Sequence, residues 1–229
     1  QTYSSEDLDN IYKLPFERKP HPKYVKRGAI PAFDMIKYSV NIHRGCFGGC
    51  AFCTIAAHQG KRIISRSEES IMQEIKQISQ DKDFKGYLSD LGGPSANMYL
   101  MKGKDESLCK KCTRASCLYP SLCKNMNNDH RPLLNLYKKV RELPYIKKVF
   151  VGSGVRYDLF DKSEYFETLV RYHVSGRLKV APEHSSENVL KAMRKMSFDQ
   201  FVNIKKRFEM INSKYGLNQQ LIPYFISSH

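Results

Sequence analysis

Nowhere in the 229 residues does an apolar run approach the roughly 18 residues that cross a bilayer. The opening Gln1-Thr2-Tyr3-Ser4-Ser5-Glu6-Asp7 is polar and has nothing of a secretory signal's apolar stretch. Both absences argue against a membrane segment, and a cytoplasmic location is the default expectation. Cysteine is missing outside two tight groups, Cys46/Cys50/Cys53 and Cys109/Cys112/Cys117/Cys123. An odd total of seven, without a signal peptide, argues against the disulfide framework of a secreted domain, and the clustering favours metal ligation. Acidic residues are few, 23 against 38 Lys and Arg, for a formal charge of +15 and a pI near 9.5. That balance favours polyanionic partners such as nucleic acid. The basic residues are dispersed, densest from Lys13 to Arg27, so a solvated surface accounts for them equally well. An aromatic-interleaved basic stripe, an RNA-binding motif, internal repeats and low-complexity tracts are all lacking.

What remains suits one folded domain, with 41% hydrophobic and 11% aromatic residues. The sequence begins without Met and stops at His229, just after the strand-like Leu221-Ile222-Pro223-Tyr224-Phe225-Ile226, and an excised piece of a longer protein is the expectation. Residues 1–32, polar and basic with Pro15, Pro20 and Pro22, read as an N-terminal extension wrapped on a core domain of residues 33–229, regular structure starting only after them.

Alternating and β-branched residues predict a strand over Met35–Ile42. Ser67 then caps a helix marked by Ile71, Ile75 and Ile78. A strand over Gly86–Leu91 ends at the turn signal Gly92-Gly93-Pro94. Further on come a helix from Pro132 to about Leu143, a strand over Lys147–Val151, a helix over Ser163–His173, and a strand over Arg177–Ala181. Helices over Glu187–Met196 and Phe198–Tyr215 and a strand over Gln219–Ile226 complete the series. Strands alternating with long helices predict an α/β fold with a parallel sheet, since parallel neighbours need long crossovers. About five strands are too few for the eight of a closed barrel, so an open, partial βα barrel is expected.

Cys46-Phe47-Gly48-Gly49-Cys50-Ala51-Phe52-Cys53 follows the first predicted strand, where ligands gather in parallel α/β folds. Its glycines let three thiolates turn toward one centre. Three cysteines are one ligand fewer than an electron-transfer iron–sulfur cluster takes, leaving an iron open. A Cys3His zinc site with His58 is the competing reading.

The C-x3-C-x2-C spacing with Phe52 before the third Cys resembles the radical S-adenosylmethionine (SAM) superfamily. The resemblance widens with Asn41-Ile42-His43-Arg44-Gly45, Ser89-Asp90-Leu91-Gly92-Gly93-Pro94, Ser153-Gly154-Val155-Arg156-Tyr157-Asp158, Lys179-Val180-Ala181-Pro182-Glu183-His184 and Leu221–Phe225, which together look like the YgiQ-type family. It implies a 4Fe-4S cluster on Cys46, Cys50 and Cys53 whose open iron chelates SAM. An electron then cleaves SAM to methionine and a 5′-deoxyadenosyl radical. Such chemistry needs a reductant such as flavodoxin or ferredoxin. The resemblance leaves the substrate open.

It further implies a SAM-binding role for Gly92 and Gly93, although Pro94 replaces the usual acid, so backbone carbonyls or Asp90 would accept from the amino group. A plain turn is the alternative. Arg156 is either a partner of the SAM carboxylate or half of a structural ion pair. Glu183 stands where the superfamily often contacts the ribose hydroxyls, and His184 reads as structural. Leu190–Met196 resembles a segment of radical-SAM methylthiotransferases and is taken as a fold marker.

Cys109-x2-Cys112-x4-Cys117-x5-Cys123 lies in a polar insertion over residues 100–131, longer than an ordinary α/β connection. Structural zinc, an auxiliary iron–sulfur cluster and free thiols all remain open for it. The leading reading is thus a radical-SAM enzyme whose substrate is open, with RNA and protein as candidates, and the alternative a metal-stabilised nucleic-acid-binding module.

Overall fold

A computed structural model describes residues 3–15, 17–160 and 164–228 of the chain. Regular structure starts earlier than the composition suggests. Helix α1 (Ser5–Tyr12) carries a capping box: the Ser4 hydroxyl accepts from the Asp7 N–H and the Asp7 side chain accepts from the Ser4 N–H. It buries Leu8. The signal, Ser-x-x-Asp, was present in the sequence but outweighed by the prolines that follow.

A 3-10 turn (Pro22–Arg27) leads to α2 (Pro31–Ile36), which takes Met35 and Ile36 out of the predicted strand and leaves both exposed. Pro31 in the first turn has its φ already set for a helix, and a short apolar run does not by itself distinguish helix from strand. Only β1 (Ser39–Asn41) remains of that strand. The short β2 (His43–Arg44) pairs antiparallel with β3 (Ile64–Ser65), and the first cysteine group and α3 (Ile55–Gln59) lie between them.

Helix α4 (Glu68–Ser79) begins as predicted: the Ser67 hydroxyl accepts from the Ser70 N–H at 3.1 Å, and Ile71, Ile75 and Ile78 are buried. Strands β4 (Tyr87–Leu88) and β5 (Asp90–Gly92) follow. The antiparallel pair β6 (Lys102–Gly103) and β7 (Met126–Asn127) encloses α5 (Glu106–Lys110) and the second cysteine group. Then come α6 (Arg131–Arg141), β8 (Lys148–Val149), α7 (Tyr165–His173) and β9 (Arg177–Glu183). Ser163, the predicted start of α7, lies outside the described residues. The chain continues through α8 (Glu187–Met193), α9 (Phe198–Tyr215) and β10 (Gln220–Phe225).

The pairings other than β2–β3 and β6–β7 are parallel. Ser39 to Asn41 of β1 register with Asp90 to Gly92 of β5, β4 pairs with β8, and the Leu91 N–H donates to the Phe150 carbonyl at 2.8 Å. A parallel bridge joins Val155 to Val180 in β9, which pairs with β10. Helices fill the crossovers, as parallel neighbours require. The fold is mixed α/β, and no closed barrel forms among the described residues. The main core gathers Ile71 and Ile75 of α4, Leu136 and Val140 of α6, Leu169 of α7 and Phe208 of α9 around strand residues such as Val40, Leu91 and Val180.

Helix α8 stops short of the predicted Met196. Arg194 adopts a left-handed conformation (φ 56°), its N–H donates to Lys191 and the Lys195 N–H to Leu190, which closes a Schellman motif. The reversal turns Lys195 inward, where it is only 6% exposed.

Candidate active site

Cys46 follows β2 directly, its N–H held by the Gly60 carbonyl at 3.2 Å. The thiols of Cys46, Cys50 and Cys53 are free and line one cleft of about 180 Å³, together with Ser95, Arg156, Asp158, Glu183 and Lys195. Gly49 has φ 56°, and a Cβ there would run into the Ala115 carbonyl, so the loop needs glycine for both conformation and space. The Gly48 N–H donates to Cys46 Sγ at 3.4 Å and the Ser95 hydroxyl lies 3.5 Å from the same sulfur. His58, on α3, is exposed and does not line the cleft.

Among the described residues no three Cys, His, Asp or Glu side chains already stand at metal-ligating distances. The donor set nonetheless suits an iron–sulfur cluster: three soft thiols face one cleft, N–H donors reach two of the sulfurs, and a Cβ at Gly48 would fill the space beside Cys46 Sγ.

Arg156 reaches the cleft from the turn after β8. Its Nε and Nη2 donate to the two oxygens of Asp158 at 3.0 and 2.5 Å, and Nη1 donates to Cys50 Sγ at 3.2 Å. The fork thus grips Asp158, the ion-pair alternative from the sequence. Burial opposes both charges, yet the facing guanidinium holds Asp158 below the usual carboxylate range, and Asp158 holds Arg156 above its own.

Glu183 ends β9 with φ 70°, at a slip in the β9–β10 register, and its carboxylate faces Lys195 Nζ at 3.8 Å. The Lys195 ammonium donates to the Ala181 carbonyl at 2.7 Å, and burial, with Arg156 nearby, lowers its pKa. His184 accepts from the Ser186 N–H at 2.9 Å, a local turn contact.

Gly92 and Gly93 stand behind the cleft wall, which Pro94 and Ser95 form. The Gly92 carbonyl accepts from Ile42, and a Cβ at Gly93 would come within 2.7–2.9 Å of the His43 ring. Asp90, considered as an acceptor for SAM, takes the N–H groups of Gly152 and Ser153 at 2.9 and 3.1 Å and the Ser153 hydroxyl. Burial raises its pKa against those hydrogen bonds. Ser95, Asp158 and Lys195 were not singled out from sequence. Asp158 was within reach, two residues beyond Arg156. Lys195 sat in a segment that read as helix surface.

The second cysteine group backs the first. The Cys117 N–H donates to the Phe47 carbonyl at 3.1 Å, and Cys117 and Cys123 pack on an apolar cluster containing Cys46, Phe47, Met98 and Met126. Burial raises the Cys117 pKa against the opposing charge of Lys61, and the thiols of Cys123, Cys112 and Cys109 add to the rise. The Asn125 amide donates to Cys109 Sγ at 3.3 Å.

A family profile described as the radical SAM superfamily matches residues 40–215, which contain every element of the cleft, and one described as radical SAM N-terminal matches residues 1–39. The chain belongs to the radical SAM superfamily. Similar proteins include a UPF0313 protein of Bacteroides thetaiotaomicron, 63% identical over 99% of this radical SAM chain and 38% of the relative. A UPF0313 protein of Porphyromonas gingivalis is 59% identical, with 99% and 37% covered. The UPF0313 protein YgiQ of Escherichia coli is 46% identical, with 99% and 31% covered. The chain therefore spans well under half the length of these relatives. No helix among the described residues is long and apolar enough to cross a membrane.

Proposed function

We propose that this radical SAM chain is the catalytic core of an enzyme in which Cys46, Cys50 and Cys53 hold a 4Fe-4S cluster and the adjoining cleft takes SAM. When bound, cluster and SAM together supply a 5′-deoxyadenosyl radical. The observation that carries the reading is the single cleft shared by three thiols of one loop, the clamped Arg156 and the carboxylate of Glu183. Glu183, turned into the cleft by its left-handed backbone, accepts from the ribose hydroxyls of SAM. Gly92 and Gly93 shape the turn that presents Pro94 and Ser95 to it.

In this reading the parallel pairs form one open, partial βα barrel over residues 33–229, with residues 1–32 as an extension and 100–131 as an insertion. Cys109, Cys112, Cys117 and Cys123 hold a second metal there, zinc or an auxiliary cluster. The net charge of +15 suits an acidic reductant such as flavodoxin or ferredoxin, and the substrate is RNA or a protein.

The test is anaerobic purification with iron and sulfide analysis, then reduction by dithionite in the presence of SAM. Release of 5′-deoxyadenosine, abolished in a Cys46/Cys50/Cys53 triple Ala variant, supports the reading. A colourless protein carrying only zinc, or RNA binding without 5′-deoxyadenosine, would replace it with a metal-stabilised nucleic-acid-binding module. Residual iron in the triple variant identifies the second metal as a cluster, and residual zinc identifies a structural site. A metal-free triple variant overturns the second site.

A further inference from the structure

Two largely buried cations border the cysteine cleft, and they are held in different ways. Arg156 is fixed on every side. Its Nε and Nη2 are on Asp158, its backbone N–H donates to Asn97 Oδ1 at 2.8 Å, and its carbonyl accepts from Asn97 Nδ2 at 2.9 Å. A Cβ at Gly48 would come within 2.9 Å of Nη1 and 3.3 Å of Cys46 Sγ, so only glycine leaves the guanidinium its place. Of the three N–H groups that Arg156 has left on Nη1 and Nη2, one points at Cys50 Sγ at 3.2 Å. The Nε–Nη2 edge, one of the two forks a guanidinium offers to a carboxylate, is therefore taken by Asp158.

Lys195 is held more loosely. Its ammonium carries three donors and makes, among the described residues, one contact of hydrogen-bond length, to the Ala181 carbonyl at 2.7 Å. The carboxylate facing it, Glu183, stands at 3.8 Å, beyond a hydrogen bond. Both ends of this pair arrive on left-handed backbone, at Glu183 itself and at Arg194 just before Lys195. Such backbone conformations are uncommon in non-glycine residues and gather at binding sites.

Resting on the reading of the cleft given above, we propose that the two cations divide the work. Arg156 is a fixed N–H donor to the Cys50 sulfur that holds the cluster's reduction potential up, and Lys195 is the ammonium that receives the carboxylate of SAM. An added electron increases negative charge on the thiolates, and a positively charged N–H donor at a ligating sulfur favours that state. The electron comes from the external reductant. Lys195, on a flexible stem, leaves Glu183 for the incoming carboxylate, and Glu183 is then free to accept from the sugar hydroxyls. Asp158 is a positioning residue acting through Arg156.

The experiment compares Arg156→Met, Arg156→Lys and Lys195→Met with the unsubstituted chain, each loaded anaerobically with cluster. It reads iron per chain, the midpoint potential in an EPR-monitored titration without SAM, and calorimetric binding of SAM to the oxidised protein. Arg156→Met should move the potential to a more negative value and leave SAM affinity close to that of the unsubstituted chain, with Arg156→Lys between the two in potential. Lys195→Met should weaken SAM binding roughly ten- to hundredfold, the worth of a hydrogen bond to a charged group, and move the potential less than Arg156→Met does, because its ammonium makes no hydrogen bond to a cluster sulfur among the described residues. An Arg156→Met potential equal to that of the unsubstituted chain, or a Lys195→Met protein that binds SAM normally, overturns the division. Where Arg156→Met does not fold, Gly48→Ala crowds Nη1 with Asp158 still present and must give the same negative shift. An unsubstituted chain that takes up no cluster refutes the parent reading instead.

Discussion

Glu74 on α4 offers the sharpest test of how the N-terminal segment is attached. Its carboxylate, 4% exposed, accepts from Arg18 on one oxygen and from Arg66 on the other. Arg66 is itself 1% exposed, lies 3.8 Å over the Tyr12 ring of α1, and donates to the Asn41 carbonyl at 3.0 Å and the Ser70 carbonyl at 2.9 Å. Glu74→Gln keeps the shape but removes the charge, leaving two guanidinium groups in one pocket with an amide N–H turned toward one of them. Removing one partner of a buried ion pair costs about 3–5 kcal/mol. Arg18 is 17% exposed and can turn toward water, which places the loss near the lower end. In a chain of this size each kcal/mol moves Tm by roughly 2–4 °C, so a fall of roughly 6–12 °C is expected. Thermal and urea unfolding followed by circular dichroism measure it. Arg18→Ala, which removes the more exposed partner, should cost less. Faster amide exchange over residues 39–46 should accompany Glu74→Gln, because Arg66 holds Asn41 and its N–H holds Ile42 just ahead of Cys46. A loss under about 1 kcal/mol would show that burial of this pair contributes little, contrary to the buried-pair argument.

Stability should also fall on the acid side. Burial pushes His43 and His173 down to about 4, whereas an unfolded histidine titrates near 6.5. Both are neutral in the fold, so their contribution is complete above about pH 6.5 and is lost as pH falls toward 4, at roughly 3 kcal/mol each. Urea midpoints across that window measure the slope, and His173→Gln should flatten it; an unchanged slope in that variant refutes the assignment. Gly93→Ala drives a methyl against the fully buried His43 ring and should cost about 1–3 kcal/mol by overpacking. Because His43 leads into the cysteine loop, iron uptake should drop as well. Gly154→Ala, with nothing within 4 Å of its Cβ, is the control for stability.

The features legible in the sequence were those written in local patterns. Ser67 with Ile71, Ile75 and Ile78 marks α4, and Phe198–Tyr215 was bounded correctly, because cap chemistry and a 3.6-residue period are properties of the segment itself. Met35 and Ile36 were misassigned since four or five alternating residues fit either element, and only the packing of β1 against β5 separates the strand from α2. Helix α1 was missed although its capping box was in view, because its one buried anchor, Leu8, is visible as such only in the fold.

By itself the sequence determined the cysteine spacing, the basic charge, the longer helices such as α4 and α9 and, through its motifs, the superfamily. Tertiary structure decided the partners. Asp158 takes the Nε–Nη2 edge of Arg156, Asp90 serves the Gly152–Ser153 turn, and Lys195 is brought inward by a left-handed helix end to face Glu183. Spacing along a chain specifies which groups are near in sequence. Which acceptor a buried cation takes depends on the nearest charge in three dimensions, since leaving that cation uncompensated costs more than any local preference.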